Sequence, residues 1–288
     1  MTATTAEPQI VGSRFAQVLT PVDFSPLSWL PLSLARHLAK RFGANHHVLH
    51  VDTASPWRDE NGGSLRIETA PGGQHVEVDV RAAASPADGI VSALDATSPA
   101  LLVMATHGHT AAAEIVLGST AEQVLSRWDG PIVATGPRFR AVDELRRLVV
   151  CVEPALPLPR QLLADAKAFA AALDLPVTVF GVTADSLPSE HAGQAERLNE
   201  AAAAVSRPAE PAGVATFGSG SVPGNIVDFA DSTPGTLIAA APHVRYLSTR
   251  LVMGSVALAV CRRSTSATLL RRFDAHDCDQ TGCDDDGH

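Results

Sequence analysis

The stretch Leu101-Leu102-Val103-Met104-Ala105-Thr106-His107-Gly108, followed after nine further residues by Gly118-Ser119, decides the fold of this chain. A second copy lies 136 residues downstream: Leu237-Ile238-Ala239-Ala240-Ala241-Pro242-His243-Val244, then nine residues and Gly254-Ser255. Each copy consists of an apolar run, a loop, and a Gly-Ser pair suited to the start of a helix. A strand–loop–helix unit that recurs at this distance predicts two duplicated domains.

The size and charge of the chain limit its class. Its 288 residues suffice for two domains, each with a core of its own. The net charge is −9, but six aspartates and no Lys or Arg follow Phe273, so the rest of the chain carries only −3. Positive and negative charges are thus nearly balanced before the tail, which argues against a broad surface for nucleic acid. We therefore expect no nucleic-acid partner.

The sequence also favours a cytoplasmic location. No run of about 18 apolar residues could span a membrane, and Met1–Ile10 lacks the basic and apolar regions of a signal peptide. Cys151 and Cys261 lie in apolar segments, as expected for buried thiols in a reducing compartment. We therefore expect a cytoplasmic protein without membrane contact.

Apolar runs alternate with helical patterns through both halves of the chain. Predicted strands lie at 16–22, 47–51, 76–80, 101–104, 131–135, 148–152, 177–182, 213–217, 236–240 and 267–270. Predicted helices lie at 25–42, at 87–94, from Ser119 onward, at 160–173 and at 190–205, whereas 53–74 shows no helical pattern. Strands that alternate with helices predict an α/β fold with parallel sheets covered on both faces.

Breaks in these patterns give the expected domain boundaries. The Gly136-Pro137 pair and the charges after it interrupt both the strand and the helix periodicity. We expect a flexible arm at 1–13, a first domain at 14–136, a linker at 137–145, a second domain at 146–272 and an acidic disordered tail at 273–288.

The loop of the first copy has the chemistry of a phosphate site. A helix N-terminus presents unpaired N–H groups and a partial positive charge. Gly108 and Gly118 would let the backbone approach a phosphate, and Ser119 and Thr120 would add hydroxyl donors. Ser119 and Glu122 also have the spacing of a capping box. No Gly-Lys-[Ser/Thr] follows, so the loop is not a P-loop.

Asp23 ends the first predicted strand, and parallel sheets bind ligands beyond the carboxyl ends of their strands. A carboxylate there could accept hydrogen bonds from a ribose hydroxyl or an exocyclic amine. Pro21, Val51 and Met104 end neighbouring strands and could contact a base. The alternative is purely structural: the glycines would be ordinary turn residues, Ser119 a helix cap and Asp23 a turn residue.

Taken together, these residues resemble the universal stress protein family. The resemblance rests on Val18-Leu19-Thr20-Pro21-Val22-Asp23-Phe24-Ser25, on His50-Val51, and on the segment from Met104 through Pro131-Ile132-Val133. The nucleotide motif of that family is Gly, two residues, Gly, nine residues, then Gly and Ser or Thr. Here Ala105 replaces the first glycine, whereas Gly108, Gly118 and Ser119 match.

The resemblance implies two tandem open sheets of five parallel strands, Rossmann-like and similar to those of the adenine nucleotide α-hydrolases. It implies ATP, ADP or AMP along the loop, with Mg or Mn beside a triphosphate. Asp23 and Val51 would contact adenine or ribose, and the glycine–serine positions would hold the phosphates. The full set of expected nucleotide contacts is Pro21, Val22, Asp23, Val51, Met104, Ala105, Gly108, His109, Gly118, Ser119 and Thr120.

The second copy is a degenerate version of the motif. Ala241 and Val244 replace its two glycines, Pro242 stiffens the loop, and Glu153 takes the place of Asp23. We expect little or no nucleotide binding there. The resemblance implies that the final strands of the two domains pair, here 267–270 against 132–135, so the chain would be a pseudo-dimer that could also form a homodimer.

Three functions remain open from the sequence. The first is a nucleotide-dependent regulator or sensor of the stress response, with at most weak ATPase activity. The second is an interaction or scaffold protein of the same fold that binds no nucleotide, and the third is a slow ATP-hydrolysing or adenylating enzyme. The loop from His107 to Ser119 contains no Lys or Arg, which speaks against the third.

Two groups of histidines and cysteines have simpler interpretations. His107 and His243 occupy equivalent loop positions, where a local hydrogen bond is a better explanation than catalysis. His276, Cys278, Cys283 and His288 could suit zinc, but their irregular spacing among aspartates favours a solvated tail.

Overall fold

The structure is a computed structural model that describes residues 14–54, 64–70, 73–107, 118–142, 144–182, 188–217, 220–242, 244–247, 250–253 and 255–272. The predicted arm and tail, and with them Cys278 and Cys283, lie outside the described residues. So do Gly108, His109, His243 and Gly254 of the repeated motif.

The N-terminal half, residues 14–136, alternates strands and helices as the sequence predicts. Its elements are β1 (Gln17–Pro21), a short 3-10 helix (Pro26–Trp29), α1 (Leu32–Phe42), β2 (Asn45–Asp52), β3 (Ser64–Ala70), β4 (Gln74–Ala82), α2 (Pro86–Asp95), β5 (Ala100–Ala105), α3 (Ser119–Arg127) and β6 (Ile132–Thr135). The prediction of an α/β fold is confirmed.

The C-terminal half, residues 146–272, repeats this order. Its elements are β7 (Arg147–Val152), α4 (Arg160–Leu173), β8 (Val177–Val182), α5 (Pro188–Val205), β9 (Gly213–Phe217), α6 (Val222–Asp231), β10 (Thr236–Ala240), β11 (Val244–Leu247), β12 (Arg250–Met253), α7 (Ser255–Arg263) and β13 (Ala267–Leu270). The sequence analysis did not identify α6, β11 or β12.

The two halves form one continuous sheet rather than two separate sheets. The strand order is β3-β4-β2-β1-β5-β6-β13-β10-β7-β8-β9, and β6 and β13 meet as an antiparallel pair. Thr268 lies opposite Ala134, and Leu270 lies opposite Ile132, so this is the strand pair that the resemblance implied. On either side of this pair, neighbouring strands of the sheet are parallel, apart from β3 and β4. β11 and β12 form a separate antiparallel pair.

The N-terminal half carries a sixth strand that the sequence did not predict. β3 forms an antiparallel hairpin with β4 at the outer edge of the sheet. Its Ile67 is 76% exposed, because an edge strand without a covering helix needs no continuous apolar face. The five predicted parallel strands of this half are present, and β3 adds one antiparallel strand at their edge.

Helices cover both faces of the sheet. Leu101 and Val103 of β5 pack with α1 and α4 on one face, and Leu102 and Met104 pack with α2, α3 and α7 on the other. This alternation follows from the two-residue period of a strand. Because α1 and its counterpart α4 share a face, a two-fold axis perpendicular to the sheet relates the two halves.

An aromatic cluster joins the halves on the α1–α4 face. The ring centroids of Phe15 and Phe42 are 4.9 Å apart, those of Phe42 and Phe169 also 4.9 Å, and those of Phe15 and Phe169 6.2 Å. All three pairs are edge-to-face, the arrangement that aromatic rings prefer. Close by, Arg14 of the first half forms an ion pair with the buried Asp165 of α4.

The structure corrects one predicted helix start and one predicted helix cap, and it confirms that a helix starts at Ser119. The helix predicted at 25–42 is split at Pro31, which has no N–H to donate and instead precedes α1. Ser119 is not a capping residue: Gly118 holds the N-cap position, and Ser119 is the first residue of α3. The helix end predicted at Gly43 is confirmed, with φ of 64° in the left-handed region.

The linker between the halves is anchored by two buried side chains, although most of its described residues are exposed. Phe139 and Leu145 are 7% and 6% exposed and belong to the core that α1 and α4 share. The Arg140 N–H donates to the Thr265 carbonyl at 3.0 Å, and the Arg146 N–H donates to the Gly235 carbonyl at 2.7 Å. These contacts attach the connecting segment to the second half.

Within the described residues, we find no helix that combines the length and the apolar character needed to cross a bilayer. Cys151 and Cys261 are both free thiols. Burial raises the pKa of Cys151 to about 12 and that of Cys261 to about 11, so both are protonated at neutral pH.

His46 at the start of β2 makes the fold sensitive to acid. Burial, followed by the nearby Arg36, lowers the pKa of His46 from 6.5 to about 4, and its Nε2 lies 3.0 Å from the Thr20 hydroxyl. As the pH falls, the His46 imidazole is protonated in the unfolded chain before it is protonated in the folded chain. The folded state therefore keeps its full stability above pH 6.5 and loses stability as the pH falls towards 4. We expect His46 to account for a loss of up to about 2–3 kcal/mol in the free energy of unfolding.

Urea denaturation between pH 7.5 and 4.5 measures this loss. The His46→Gln variant should lose less stability over this range than the original chain. His75→Gln, which alters an exposed histidine of β4, is the matched control and should follow the original pH profile. Parallel profiles for the original chain and His46→Gln would contradict the assignment.

Candidate functional site

The candidate site lies where β1 and β5 end side by side. In the sheet, β1 lies between β2 and β5. The chain passes from β1 to β2 on one side and from β5 to β6 on the other, so the connections that follow β1 and β5 run in opposite directions. A crevice opens at the carboxyl ends of parallel strands at such a switch point. Asp23 follows β1, and Ala105 is the last residue of β5, so the structure brings these two predicted residues to adjacent strand ends.

The loop after β5 closes on itself at Thr106 and Gly118. The Gly118 N–H donates to the Thr106 carbonyl at 2.9 Å, and the Thr106 N–H donates to the Thr135 carbonyl at 2.9 Å. A Cβ at position 118 would lie 2.9 Å from the Thr106 carbonyl oxygen. Glycine is therefore required at position 118 because two backbone segments approach each other closely there. The sequence analysis had explained this glycine by contact with a phosphate instead.

The N-terminus of α3 is directed at this crevice. No side chain caps it at Gly118, and the first helical hydrogen bond is the one from the Glu122 N–H to the Gly118 carbonyl at 3.0 Å. Ser119 is exposed and Thr120 half-buried at this end. Backbone N–H groups of the first turn, with two hydroxyls beside them, form an arrangement that suits an anion.

Asp23 has a structural role in the turn after β1. Its Oδ1 accepts a hydrogen bond from the Ser25 N–H at 3.0 Å, and its own N–H donates to the Ser28 hydroxyl at 3.3 Å. Phe24 between them has φ of 63°, a left-handed conformation that costs free energy in a residue other than glycine. The turn interpretation of Asp23 is thus correct, and the half-buried carboxylate remains at the strand end.

His50 is a site residue that the sequence analysis overlooked. Its Nδ1 is 2.8 Å from the Val22 carbonyl, and its ring lies 4.3 Å from the Phe24 ring at 35°. These contacts support the strained turn that holds Asp23. The signal was available in the sequence, because His50 precedes Val51 at the end of the predicted second strand.

The remaining predicted contacts differ in exposure. Pro21, Val51 and Ala105 are half-buried and line the strand ends. Val22 and Met104 are each 4% exposed, so their side chains belong to the core beneath the site. Val51 packs over Gly89 of α2, where an added Cβ would lie 2.7 Å from a Val51 methyl.

Ala105 occupies an ordinary strand position. It pairs with Thr135 in the parallel β5–β6 ladder, and the positive-φ residues other than glycine in the described chain are Phe24 and Asp174. The family's glycine is therefore replaced here without backbone strain. The alanine methyl group stands half-buried at the end of β5.

The corresponding segment of the second half contains a short hairpin. Val244–Leu247 and Arg250–Met253 form an antiparallel hairpin, in which Val244 pairs with Met253. An extended conformation suits the β-branched Val244. The backbone groups of this hairpin pair with each other in their own ladder.

The two strand-end regions lie far apart. Because β6 and β13 run antiparallel, the strands of the two halves point in opposite directions, and their carboxyl ends lie on opposite sides of the common sheet along the strand direction. Asp23 and Glu153, which follow β1 and β7, therefore lie on opposite sides.

The described residues do not favour a metal ion held by the protein. In the ranges that the structure covers, no group of three His, Cys, Asp or Glu side chains could hold one. We therefore assign no protein ligands to the Mg or Mn that the resemblance implied. The Nδ1 of His107 lies 2.9 Å from the Thr106 hydroxyl, the local hydrogen bond expected for that residue.

The fold is similar to solved structures of two-domain size. A universal stress protein from Archaeoglobus fulgidus DSM 4304 is 17% identical with a TM-score of 0.63, and the match covers 91% of this chain and 100% of that one. A putative universal stress protein from Pseudomonas aeruginosa UCBPP-PA14 is 15% identical with a TM-score of 0.61, with coverages of 93% and 96%. At these identities the similarity shows the fold alone.

A smaller structure matches part of the chain. It is a universal stress protein from Archaeoglobus fulgidus in complex with dAMP, 20% identical over 44% of this chain and 97% of that one. Its TM-score of 0.36 is too low to compare sites.

Sequence comparison gives the family. No curated protein sequence matches the chain. The sequence profile described as the universal stress protein family matches residues 14–135, which contain β1 to β6 and the candidate site. Residues 14–135 therefore match the universal stress protein family.

Proposed function

We propose that the N-terminal half binds an adenine nucleotide and that the chain acts as a nucleotide-dependent regulator or sensor in the stress response. The proposal rests on one observation above all. The Thr106–Gly118 closure places a glycine at the N-cap of α3, next to the crevice between β1 and β5, and among the described residues the N-cap position makes no side-chain hydrogen bond to the helix. That arrangement offers N–H donors and a positive helix end to a phosphate group.

The roles of the residues follow from their positions. The first-turn amides with Ser119 and Thr120 hold the phosphates, and the Asp23 carboxylate accepts from the ribose. Val51, Pro21 and the Ala105 methyl group provide apolar contact for the base. Gly108 and His109 complete the loop in this proposal.

The C-terminal half serves as a built-in partner that binds nucleotide weakly or not at all. We accordingly propose the domain boundaries 14–136 and 146–272, with one nucleotide site per chain. Two free thiols, of which Cys261 is buried and Cys151 partly buried, suit a reducing compartment such as the cytoplasm. A homodimer of whole chains and the lack of a nucleic-acid partner stay predictions.

Titration calorimetry with ATP, AMP and adenosine tests the proposal on the full chain. We expect one site per chain and tighter binding of ATP than of adenosine, because adenosine has no phosphates to place on α3. The Ser119→Ala, Thr120→Ala double variant should weaken ATP binding about tenfold, equal to about 1.4 kcal/mol, and leave adenosine binding unchanged.

Matched variants separate binding from folding. Ser126→Ala removes a hydroxyl from the last turn of α3 and should leave all affinities unchanged. Absence of nucleotide both from freshly purified protein and on titration would contradict the proposal and favour the interaction protein. Rapid ATP turnover would favour the enzyme, and two equivalent sites would contradict the built-in partner.

A further inference from the structure

We propose that the acidic tail of this chain, residues 273–288, docks on a basic face formed by α1 and α4. The proposal does not depend on nucleotide binding, because it concerns the outer surface of these two helices and not the strand ends. The basic face is defined by the basic side chains of α1 and α4 that are exposed or half-buried and lie towards solvent. They are His37, Lys40, Arg41, Arg160 and Lys167.

The solvent-facing charge on α1 and α4 is positive throughout. Besides the basic face, α1 contributes Arg36, and the one acidic residue of the two helices is Asp165. Asp165 is 1% exposed and forms an ion pair with Arg14, so its charge does not face solvent. A chain with a net charge of −9 thus has two neighbouring helices that present positive charge alone.

The two helices carry this charge up to the joint between the halves. The Nε of Arg41 in α1 donates to the Ala172 carbonyl of α4 at 3.0 Å, so a guanidinium reaches from one helix to the other. Burial, followed by the charge of Arg41, lowers the pKa of His37 below 6.5, and Lys40 acts in the same direction. The Glu144 carboxylate acts in the opposite direction without reversing the shift.

Acidic residues lie beside the basic face. α5 packs on β8 and β9, on the outer side of α4, and carries the exposed Glu196 and Glu200. Asp174, which follows α4, forms an ion pair with Arg207 at 2.8 Å. These carboxylates set the outer limit of the basic face and leave its centre, at the joint, positive.

The tail carries the opposite charge and starts at the joint. Residues 273–288 contain six aspartates and no Lys or Arg. Just before them, the Nε of Arg271 donates to the side-chain oxygen of Gln161 in α4 at 2.8 Å. Sixteen extended residues span about 50 Å, whereas the 14 residues of α4 span about 21 Å, so the tail is long enough to cover the basic face.

The opposite face of the sheet fits an acidic segment less well. Arg272 also holds the start of the tail to α3 on that face, through the Ser126 carbonyl at 2.7 Å. However, α3 carries Glu122 as well as Arg127, and Arg127 is already paired with Asp88 of α2 at 2.6 Å. Carboxylates there repel aspartates, so the charge favours the α1–α4 side.

Attachment to the same chain makes weak contacts sufficient. An ion pair between exposed side chains contributes little by itself. A tether of this length keeps the aspartates near the basic face at an effective concentration in the millimolar range, so several weak pairs can act together. Because these charges are exposed, salt should screen them and release the tail.

Zero-length cross-linking of the full chain tests the proposal. Lys40 and Lys167 are the two lysines of the sequence, so a carbodiimide that joins amines to carboxylates reports directly on the basic face. We expect cross-links from both lysines to tail aspartates at about 20 mM salt, and about fivefold fewer at about 0.5 M salt. Tenfold dilution of the protein should not change their yield, because tail and face belong to one chain.

Matched double variants show whether the basic face itself holds the tail. Arg160→Gln with Lys167→Gln removes two charges from α4 and keeps Lys40 as the reporter. We expect about threefold fewer cross-links at Lys40 in this variant. Arg81→Gln with Arg127→Gln removes two exposed charges elsewhere and should leave the yield at Lys40 unchanged.

Amine labelling gives a second reading that needs no cross-link. Replacement of the six tail aspartates by asparagine should accelerate the acetylation of Lys40 and Lys167 by an active ester about threefold at low salt, and leave it unchanged at high salt. Equal labelling rates at low salt would overturn the proposal, as would the absence of cross-links. Cross-links that ignore salt would reflect the tether alone, and cross-links that increase with protein concentration would join separate copies; either result overturns it.

Discussion

Gly136→Ala is expected to lower the free energy of unfolding by about 3–5 kcal/mol, although it adds a single methyl group. The new Cβ would lie well inside van der Waals contact with the Cys261 carbonyl oxygen, 2.9 Å from the carbonyl carbon and 3.3 Å from the Cα of Arg262. These atoms belong to the backbone of α7, so relief requires the whole helix to move away from β6. The loss arises at the joint between the halves and should affect both.

Urea denaturation followed by circular dichroism measures this loss. Gly193→Ala is the matched control: an added Cβ there meets nothing within 4 Å, and the residue lies inside α5. That control should gain about 0.5–1 kcal/mol, because alanine favours the helix. Equal stability of the two variants would show that α7 and β6 are not in the contact described.

Phe169→Ala is expected to cost about 3–5 kcal/mol and to uncouple the unfolding of the two halves. Phe169 is fully buried in α4, and its ring contacts both Phe15 and Phe42 of the first half. The truncation removes an aromatic ring from the core of the second half and from the contact between the halves at the same time. We expect a single thermal transition in the original chain and two in the variant.

Phe180→Ala is the matched control, because it makes the same Phe-to-Ala truncation at a different buried site. Phe180 is 1% exposed and packs against Phe229 on the other face of the second half, away from the joint. Calorimetry should show a similar loss of stability in this variant, with the single transition retained. Two transitions in both variants, or in neither, would contradict the coupling through Phe169.

Much of the fold could be predicted because its strands are buried on both faces. Runs such as Leu101–Met104 are apolar without interruption, the pattern of a central parallel strand. β3 lacked this signal, since its edge position leaves Ile67 exposed. α6 was overlooked because Pro223 and Gly224 resemble a turn, whereas Ser221 accepts from the Gly224 N–H and caps the helix.

The candidate site could be predicted only in part. Spacing identified Gly118, but it could not show that the Thr106 carbonyl, and not a ligand, requires glycine there. It also could not place the backbone of Cys261 against Gly136, because the contact joins residues 125 positions apart in different halves. Short-range patterns report local structure, and contacts between halves depend on how the sheets join.

The antiparallel joint of β6 and β13 has a consequence for assembly. Because both strands belong to one chain, their pairing is intramolecular and does not depend on protein concentration, unlike the pairing of two separate subunits. The unlike halves are also always present in equal number, so an intact site is never paired with another intact site through these strands. The joint occupies the edge of both strands, and any larger assembly has to use a different surface of the molecule.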